Sequence, residues 1–365
     1  MQISPCIMRR KRLPIYKVLV YSTDGEFTMK ATIYDIAREA GVSIATVSQV
    51  INGKGKISEK RRAEVMEIME RLNYQPSAIA AALTGKQTYT LGLLVPDISN
   101  PYFAELARAV EDRSRQLGYS VVICSTDNKD ERVERYLNLL QQKRVDGMMI
   151  GTGIDNAEIL SPLLQQSIPV ALIARQLPSL SVHTVAIDDR LGGSLAAQHL
   201  LQLGHTRLAV VSEPLKVSSS KERVRGFREA VEEAGLTLAS SQVRESTADL
   251  RSAKQEVLVL LRETNRPTGI FCCNDMQAIG ALQAAKELGL RVPEDVSIIG
   301  FDNTILASVT NPPLTTVAQP IEDLGRRAVD LLIDELKDER KPPQKMVLKP
   351  ELVIRESTGD APNES

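Results

Sequence analysis

Two kinds of hydrophobic spacing divide this chain. Between Thr32 and Leu72 apolar positions recur every three or four residues, whereas between Leu91 and Phe301 short apolar runs alternate with amphipathic stretches. In the first region Ile33, Ile36, Ala37 and Ala40 form one helical stripe. Thr32 stands where it can cap that helix, and Gly41 where it can end it, because a residue without a Cβ enters the left-handed region at least cost. Ser43 caps a second helix whose buried side is Val47, Val50 and Ile51. Its other face is Ile44, Ala45, Thr46, Ser48, Gln49 and Asn52, mostly small or polar and without charge. Ser58 caps a third helix, with Val65, Ile68, Met69 and Leu72 turned toward the first two; Arg61 stands where a capping box would need Glu or Gln. A second helix with such a face, lying across a short Gly turn, is the form that enters a DNA major groove, although an ordinary αα-hairpin has the same spacing.

Ser77–Leu83, SAIAAAL, follows Pro76 and precedes Thr84-Gly85-Lys86. Seven residues are too few for a stable helix in water, so this segment is expected to be helical only when a partner supports it. From Leu91 onward the runs LGLLVP, YSVVIC, VDGMMI, PVALIA and HTVAID, then RLAVVS, GIFCC and VSIIGF, are separated by helical patterns. Apolar runs of this length predict parallel strands covered on both faces, and two series predict two doubly wound α/β subdomains. Ligands bind outside the carboxyl ends of such strands. Polar residues gather in the loops there: Asp97, Asn100, Tyr102 and Phe103 after the first run, Asn274 and Asp275 after GIFCC, and Asp302 after VSIIGF, with Arg223 opening a helix. Asn and Asp in these positions also cap helices, so capping stands beside ligand binding for each of them.

Charge sharpens this division. Residues 1–28 and 29–90 each carry +3, from five Lys/Arg against two Asp/Glu and nine against six, so the chain's net −1 leaves −7 on the remaining 275 residues. A basic head on an acidic body suggests that the head meets a polyanion and the body does not. Residues 1–28 show no clear periodicity and read either as a disordered arm or as translation from a start upstream of Met29. Cys6, Cys124, Cys272 and Cys273 have no zinc spacing and read as free thiols of a cytoplasmic protein. No apolar run approaches the ~20 residues needed to span a bilayer. His183, His199 and His205 show no metal spacing, and no nucleotide-binding, metalloprotease or hydrolase motif occurs. An enzyme is therefore not expected, and neither a cofactor nor a metal.

The order of parts TIYDIAREAGVSIATVSQVING, NYQPSAIAAALTGK, VPDISNPYF, GFDNT and PPLTTVAQP resembles the LacI/GalR family of bacterial transcription regulators from about Met29 to about Arg355. The resemblance implies a helix-turn-helix DNA-binding headpiece at 29–76, a hinge helix and linker at 77–88, and at 89–355 an effector-binding and dimerisation domain of periplasmic-binding-protein type. A tail would cover 356–365, and the chain would pass between subdomains near 188–190 and 317–320. Ile44, Ala45 and Gln49 fall where family members read bases, and Thr46 and Ser48 where they touch backbone or nearby bases; Thr32, Ser43 and Asn52 complete the expected headpiece contacts. Ser77, Ala82 and Leu83 fall in the DNA-contacting hinge, with Leu83 as a minor-groove wedge. Arg223, Asn274 and Asp302 match effector-contacting positions, Tyr102 and Phe103 the mouth of the cleft, and Asp97, Asn100 and Asp275 complete the expected effector set. Three departures stand out. Gln49 replaces a frequent Arg and suits adenine better than guanine; Ala80-Ala81-Ala82 lacks a frequent hinge Arg; and Ala174 stands at a strand end that is often Asp in sugar binders. The expected function is a homodimeric DNA-binding repressor on near-palindromic operator DNA, controlled by a small-molecule effector, a sugar or other metabolite. The alternative is the same regulator controlled by a protein co-regulator.

Overall fold

The computed structural model describes residues 31–51, 55, 57–74, 87–177, 179–247, 249–338 and 342–362. The expectations for residues 1–28, for Asn52 and for the hinge at 77–83, with Ser77, Ala82 and Leu83, lie outside the described residues. The chain divides into two compact units, residues 1–84 and 85–365.

In the first unit three helices enclose one small core. They are α1 (Ile33–Glu39), α2 (Ile44–Ile51) and α3 (Glu59–Arg71). Ile36, Ala37, Ala40, Val47, Val50, Val65, Ile68 and Met69 are all buried together, so the predicted apolar faces are the ones that meet. Gly41 has φ +60°, as the end of α1 requires. Ser43 Oγ accepts from Thr46 N at 3.1 Å and so opens α2. At α1 the Asp35 carboxylate accepts from Thr32 N at 3.0 Å and from its hydroxyl at 2.7 Å. Arg61 donates to the Ala40 carbonyl at 3.5 Å, and Arg71 pairs with Glu39, tying α3 to α1.

The second unit holds two six-stranded sheets, each with helices on both faces. The first sheet comprises β1 (Thr90–Val95), β2 (Ser120–Ser125), β3 (Gly147–Ile150), β4 (Val170–Ile173), β5 (His183–Ile187) and, from late in the chain, β11 (Lys345–Leu348). Its spatial order is β11-β5-β4-β3-β1-β2, all parallel. The helices α4 (Pro101–Gln116), α5 (Asp130–Gln142) and the short α6 (Ser161–Gln165) connect its strands.

The second sheet comprises β6 (Leu208–Ser212), β7 (Val243–Glu245), β8 (Gly269–Cys272), β9 (Ser297–Asp302), β10 (Thr315–Ala318) and β12 (Glu351–Val353). Its order is β12-β10-β9-β8-β6-β7, with only β12 antiparallel. Here the helices are α7 (Asp189–Gln202), α8 (Ser218–Glu233), α9 (Leu250–Leu261), α10 (Asp275–Glu287) and α11 (Ile305–Val309). A last helix, α12 (Ile321–Lys337), returns to the first sheet and packs on α4.

The chain thus passes between the subdomains three times: after β5, after β10, and between β11 and β12. Residues 356–361, expected as a tail, are instead part of the second subdomain. Ser357 is fully buried; its hydroxyl donates to the Ile298 carbonyl at 2.6 Å and accepts from Thr315 N at 2.8 Å. Ala361 N bonds the Leu203 carbonyl at 2.8 Å.

Candidate DNA-reading face and ligand cleft

On α2 the burial follows the predicted face. Val47 and Val50 are buried, while Ile44, Ala45 and Gln49 are exposed; Thr46 and Ser48 lie between. Ile44 keeps 40% of its surface in water. The Gln49 side chain lies against the Gly55 turn: a Cβ at Gly55 would stand 2.9 Å from Gln49 Oε1, and Gly55 has φ +89°. The Ser43 hydroxyl is committed to opening α2 and also meets Thr46 Oγ1 at 2.9 Å.

In the larger unit each sheet reverses its strand order once, between β1 and β3 in the first and between β6 and β8 in the second. Loops diverge at such a reversal, and the crevice they leave is where doubly wound folds bind ligands. The residues there form one connected cluster. Arg223, 7% exposed, donates from Nε to Asp189 Oδ1 at 2.8 Å and from Nη1 to the Cys273 carbonyl at 2.5 Å. Asp302 Oδ1 stands 3.8 Å from Arg223 Nη1 and accepts from Gln319 Nε2 at 2.7 Å. Gln319 Oε1 in turn accepts from the Tyr102 hydroxyl at 3.2 Å. The guanidinium of Arg223 lies 3.6 Å from the centroid of Phe301, and Phe103 meets Tyr102 edge to face at 4.9 Å.

Burial governs the charges in this cluster. It works against the Arg223 cation, but Asp189 and Asp302 more than offset it and hold the guanidinium protonated. Burial also raises the Asp302 carboxyl well above the usual range, with Arg223 opposing, and raises the Tyr102 hydroxyl, with Asp302 adding to the rise. The backbone is strained at the same place. Asp127, Asn128, Ala174, Asp302 and Asn303 all have positive φ at the ends of β2, β4 and β9. Such residues cost about 1–3 kcal/mol each and persist where surrounding structure over-determines them, which is common at ligand sites.

The eight residues predicted for the cleft are not equivalent. Tyr102, Phe103, Arg223 and Asp302 meet in or beside the cluster. Asn100 and Asn274 cap α4 and α10 through their side-chain oxygens, accepting from Tyr102 N at 3.0 Å and Gln277 N at 2.8 Å. Asp97 is exposed and accepts from Ser99 N at 2.8 Å. Asp275 has to be corrected. It is 1% exposed, and its oxygens accept from Thr304 N at 2.7 Å, Thr304 Oγ1 at 2.9 Å and Thr316 Oγ1 at 2.7 Å, so it has no surface for a ligand. Burial pushes its carboxyl up to about 6 against those hydrogen bonds. Asp189, Gln319 and Arg175 were not predicted. The first two belong to the cluster through partners 34 and 17 residues away, and a local sequence window does not reach so far.

The two subdomains also touch across the cleft. Glu105 on α4 accepts from Ile305 N at 2.9 Å, at the start of α11, and Lys216 pairs with Asp155 at 3.3 Å. Among the described residues no group of three His, Cys, Asp or Glu could hold a metal ion, and no helix is long and apolar enough to cross a membrane.

Residues 32–77 match the family described as bacterial regulatory proteins, lacI family, and residues 197–358 match the periplasmic binding protein-like domain. The HTH-type transcriptional regulator DegA of Bacillus subtilis (strain 168) is 47% identical over 333 residues, spanning 90% of this chain and 98% of that protein. The chain belongs to the lacI family. Another relative, the HTH-type transcriptional repressor PurR of Aliivibrio salmonicida (strain LFI1238), is 38% identical over 329 residues, covering 90% of this chain and 98% of its own length. A solved structure of the lac repressor dimer, bound to operator and the anti-inducer ONPF, superposes with a TM-score of 0.81 at 30% identity, covering 91% of this chain and 100% of that one. This lacI-family protein is accordingly a DNA-binding transcriptional repressor of helix-turn-helix type, not an enzyme.

Proposed function

We propose that this lacI-family repressor works as a homodimer on a near-palindromic operator and that a small molecule in the cleft between its subdomains controls it. Each headpiece lays α2 in a major groove with Ile44, Ala45 and Gln49 toward the bases, and two-fold symmetry in the protein is matched in the site. Apolar contact and one amide then carry specificity on that helix, because its outer face holds no charge. The hinge at 77–83 is short enough to order or melt in response to the body. A change in the angle between subdomains biases it, and a coupling of about 1–3 kcal/mol gives a 5–150-fold effect on DNA affinity.

The observation that carries the ligand reading is the chain Tyr102–Gln319–Asp302–Arg223–Asp189 at the strand-order reversals, buried except at Asp189, with positive φ at Asp302 and Asn303. Polar groups converging in a crevice suit a small polar ligand, and this favours it over a protein co-regulator. The test is Asp302→Ala. A small-molecule extract of the producing bacterium should change operator binding by the wild-type protein and leave the variant unresponsive, with operator affinity in the absence of extract measured alongside. A variant that responds as the wild type does would remove Asp302 from the ligand site.

A further inference from the structure

The turn from β9 into α11 carries Asp302 to the cleft, and its backbone is strained: φ is +115° at Asp302 and +58° at Asn303. Such residues persist only where their surroundings hold them. Within the second subdomain the holds are polar. Asn303 N donates to Thr316 Oγ1 at 3.4 Å, and Asn303 Oδ1 accepts from Arg355 Nη2 at 2.6 Å. Thr304 N and the Thr304 hydroxyl both donate to Asp275 Oδ2, at 2.7 and 2.9 Å.

A further hold comes from the other side of the cleft. Ile305 N opens α11 and has no partner within its own helix, as the first N–H groups of any helix do not. Glu105 Oε1 on α4 accepts from it at 2.9 Å, joining residues 200 apart. Glu105 stands one helical turn beyond Tyr102, on the same face of α4. The Tyr102 hydroxyl donates to Gln319, and Gln319 donates to the Asp302 carboxylate. One face of α4 therefore reaches the ligand-bearing turn at two points, its side chain through Tyr102 and its backbone through Glu105. Another contact across the cleft, Lys216 with Asp155, is 71% and 73% exposed at its two ends, and ion pairs in water contribute little.

We propose that Glu105 is a positioning residue that latches the Asp302 turn to the first subdomain, so that a ligand shifting Asp302 moves α4 with it. This rests on the cleft being the ligand site and adds the residue through which its occupancy reaches the other subdomain. The first subdomain is the one the expected hinge leads into, since β1 opens at Thr90.

The test is a cycle of substitutions in the full-length protein. Glu105→Ala removes the acceptor. Ile305→Pro removes the donor, because proline has no N–H and suits the first position of a helix. Thr304 already has φ −65° and ψ 164°, the extended form that a residue before proline adopts. The Ile305 side chain is 66% exposed, so little packing goes with it. Operator affinity is measured with and without a saturating amount of a small-molecule extract of the producing bacterium, and the ratio of the two is the coupling. Each single variant should lower that ratio by about 2–12-fold, the worth of one hydrogen bond, and the double variant no further than the weaker single. Glu105→Gln, which keeps an acceptor oxygen, should fall between Glu105→Ala and the wild type. Circular dichroism confirms that each variant is folded. A ratio unchanged in Glu105→Ala, or losses that add in the double variant, overturns the latch while leaving the cleft in place. A response of Asp302→Ala equal to wild type overturns the cleft itself, and a wild type unmoved by the extract overturns both.

Discussion

Replacing Gly193 by alanine tests how the ligand cluster is built. Gly193 on α7 faces Arg223 on α8: a Cβ there would stand 1.9 Å from the Arg223 carbonyl oxygen, 2.8 Å from its carbon and 2.9 Å from Phe227 N. Gly226 on α8 is the reciprocal case, its Cβ falling 1.9 Å from the Arg190 carbonyl oxygen. Two helices that meet glycine to backbone have no flexible side chain to move aside, so the helices themselves must separate. Bringing the shortest contact out to 3.0 Å, below which real Cβ atoms essentially never approach, takes about 1.1 Å. Overpacking costs about 1–3 kcal/mol, and an unyielding backbone contact belongs at the upper end. In a helix interior alanine otherwise gains about 0.8–1.0 kcal/mol over glycine. The net expectation for Gly193→Ala is a loss of about 2 kcal/mol, the difference of those two effects. Because the displaced carbonyl belongs to Arg223, its 2.8 Å bond to Asp189 and 2.5 Å bond to Cys273 go with it. The assay is urea denaturation followed by circular dichroism, with the extract response of operator binding as second readout. A variant as stable as the wild type, or more so, would refute the close crossing, because propensity alone would then have decided the sign.

Two further predictions concern local structure and pH. Ser43→Ala removes the acceptor of Thr46 N and should lower headpiece stability by about 0.5–2 kcal/mol, seen as an earlier melting transition of the isolated residues 29–76 by circular dichroism; an unchanged transition would show that the cap is not needed. His205 is fully buried between Thr268 Oγ1 at 3.0 Å, Ser297 Oγ at 3.0 Å and the Gly359 carbonyl at 3.1 Å, and burial lowers its pKa below the usual 6.5. The unfolded chain then binds the proton more readily, so the contribution of His205 is present above pH 6.5 and lost as pH falls through the folded value. Asp275, pushed up to about 6, runs the other way, since the folded state takes its proton first. Comparing urea midpoints of the wild type and His205→Gln between pH 7.5 and 5.5 isolates the histidine; the variant should lose less on acidification, and parallel curves would contradict this.

Much of the architecture is legible in the sequence because burial on both faces turns each parallel strand into a continuous apolar run. LGLLVP covers β1 from its second residue and GIFCC contains β8, and the 3–4 spacing of Ile36, Ala37, Val47 and Val50 marks the headpiece core. The spacing Ile321, Leu324, Ala328, Leu331 and Leu332 marks α12 equally well, yet the sequence reading leaves it unassigned. The strands β7, β11 and β12 are only three or four residues long and partly exposed, so no run announces them. The site is less legible. Residue type and loop position bring out Arg223 and Asp302, but the same criteria include Asp275, whose carboxylate is enclosed by Thr304 and Thr316. Tyr102 and Gln319 stand 217 residues apart, and only the crossing after β10 brings them together.

The claim most central to this account is that the uncharged face of α2 reads DNA. Full-length protein is mixed with sheared genomic DNA, and the retained fragments are sequenced for the wild type and for Gln49→Ala. The account predicts a shared near-palindromic site and, in the variant, relaxed preference at one symmetry-related base pair, worth about 1–3 kcal/mol. Fragments with no common sequence, or a preference that Gln49→Ala leaves unchanged at every position, would contradict it.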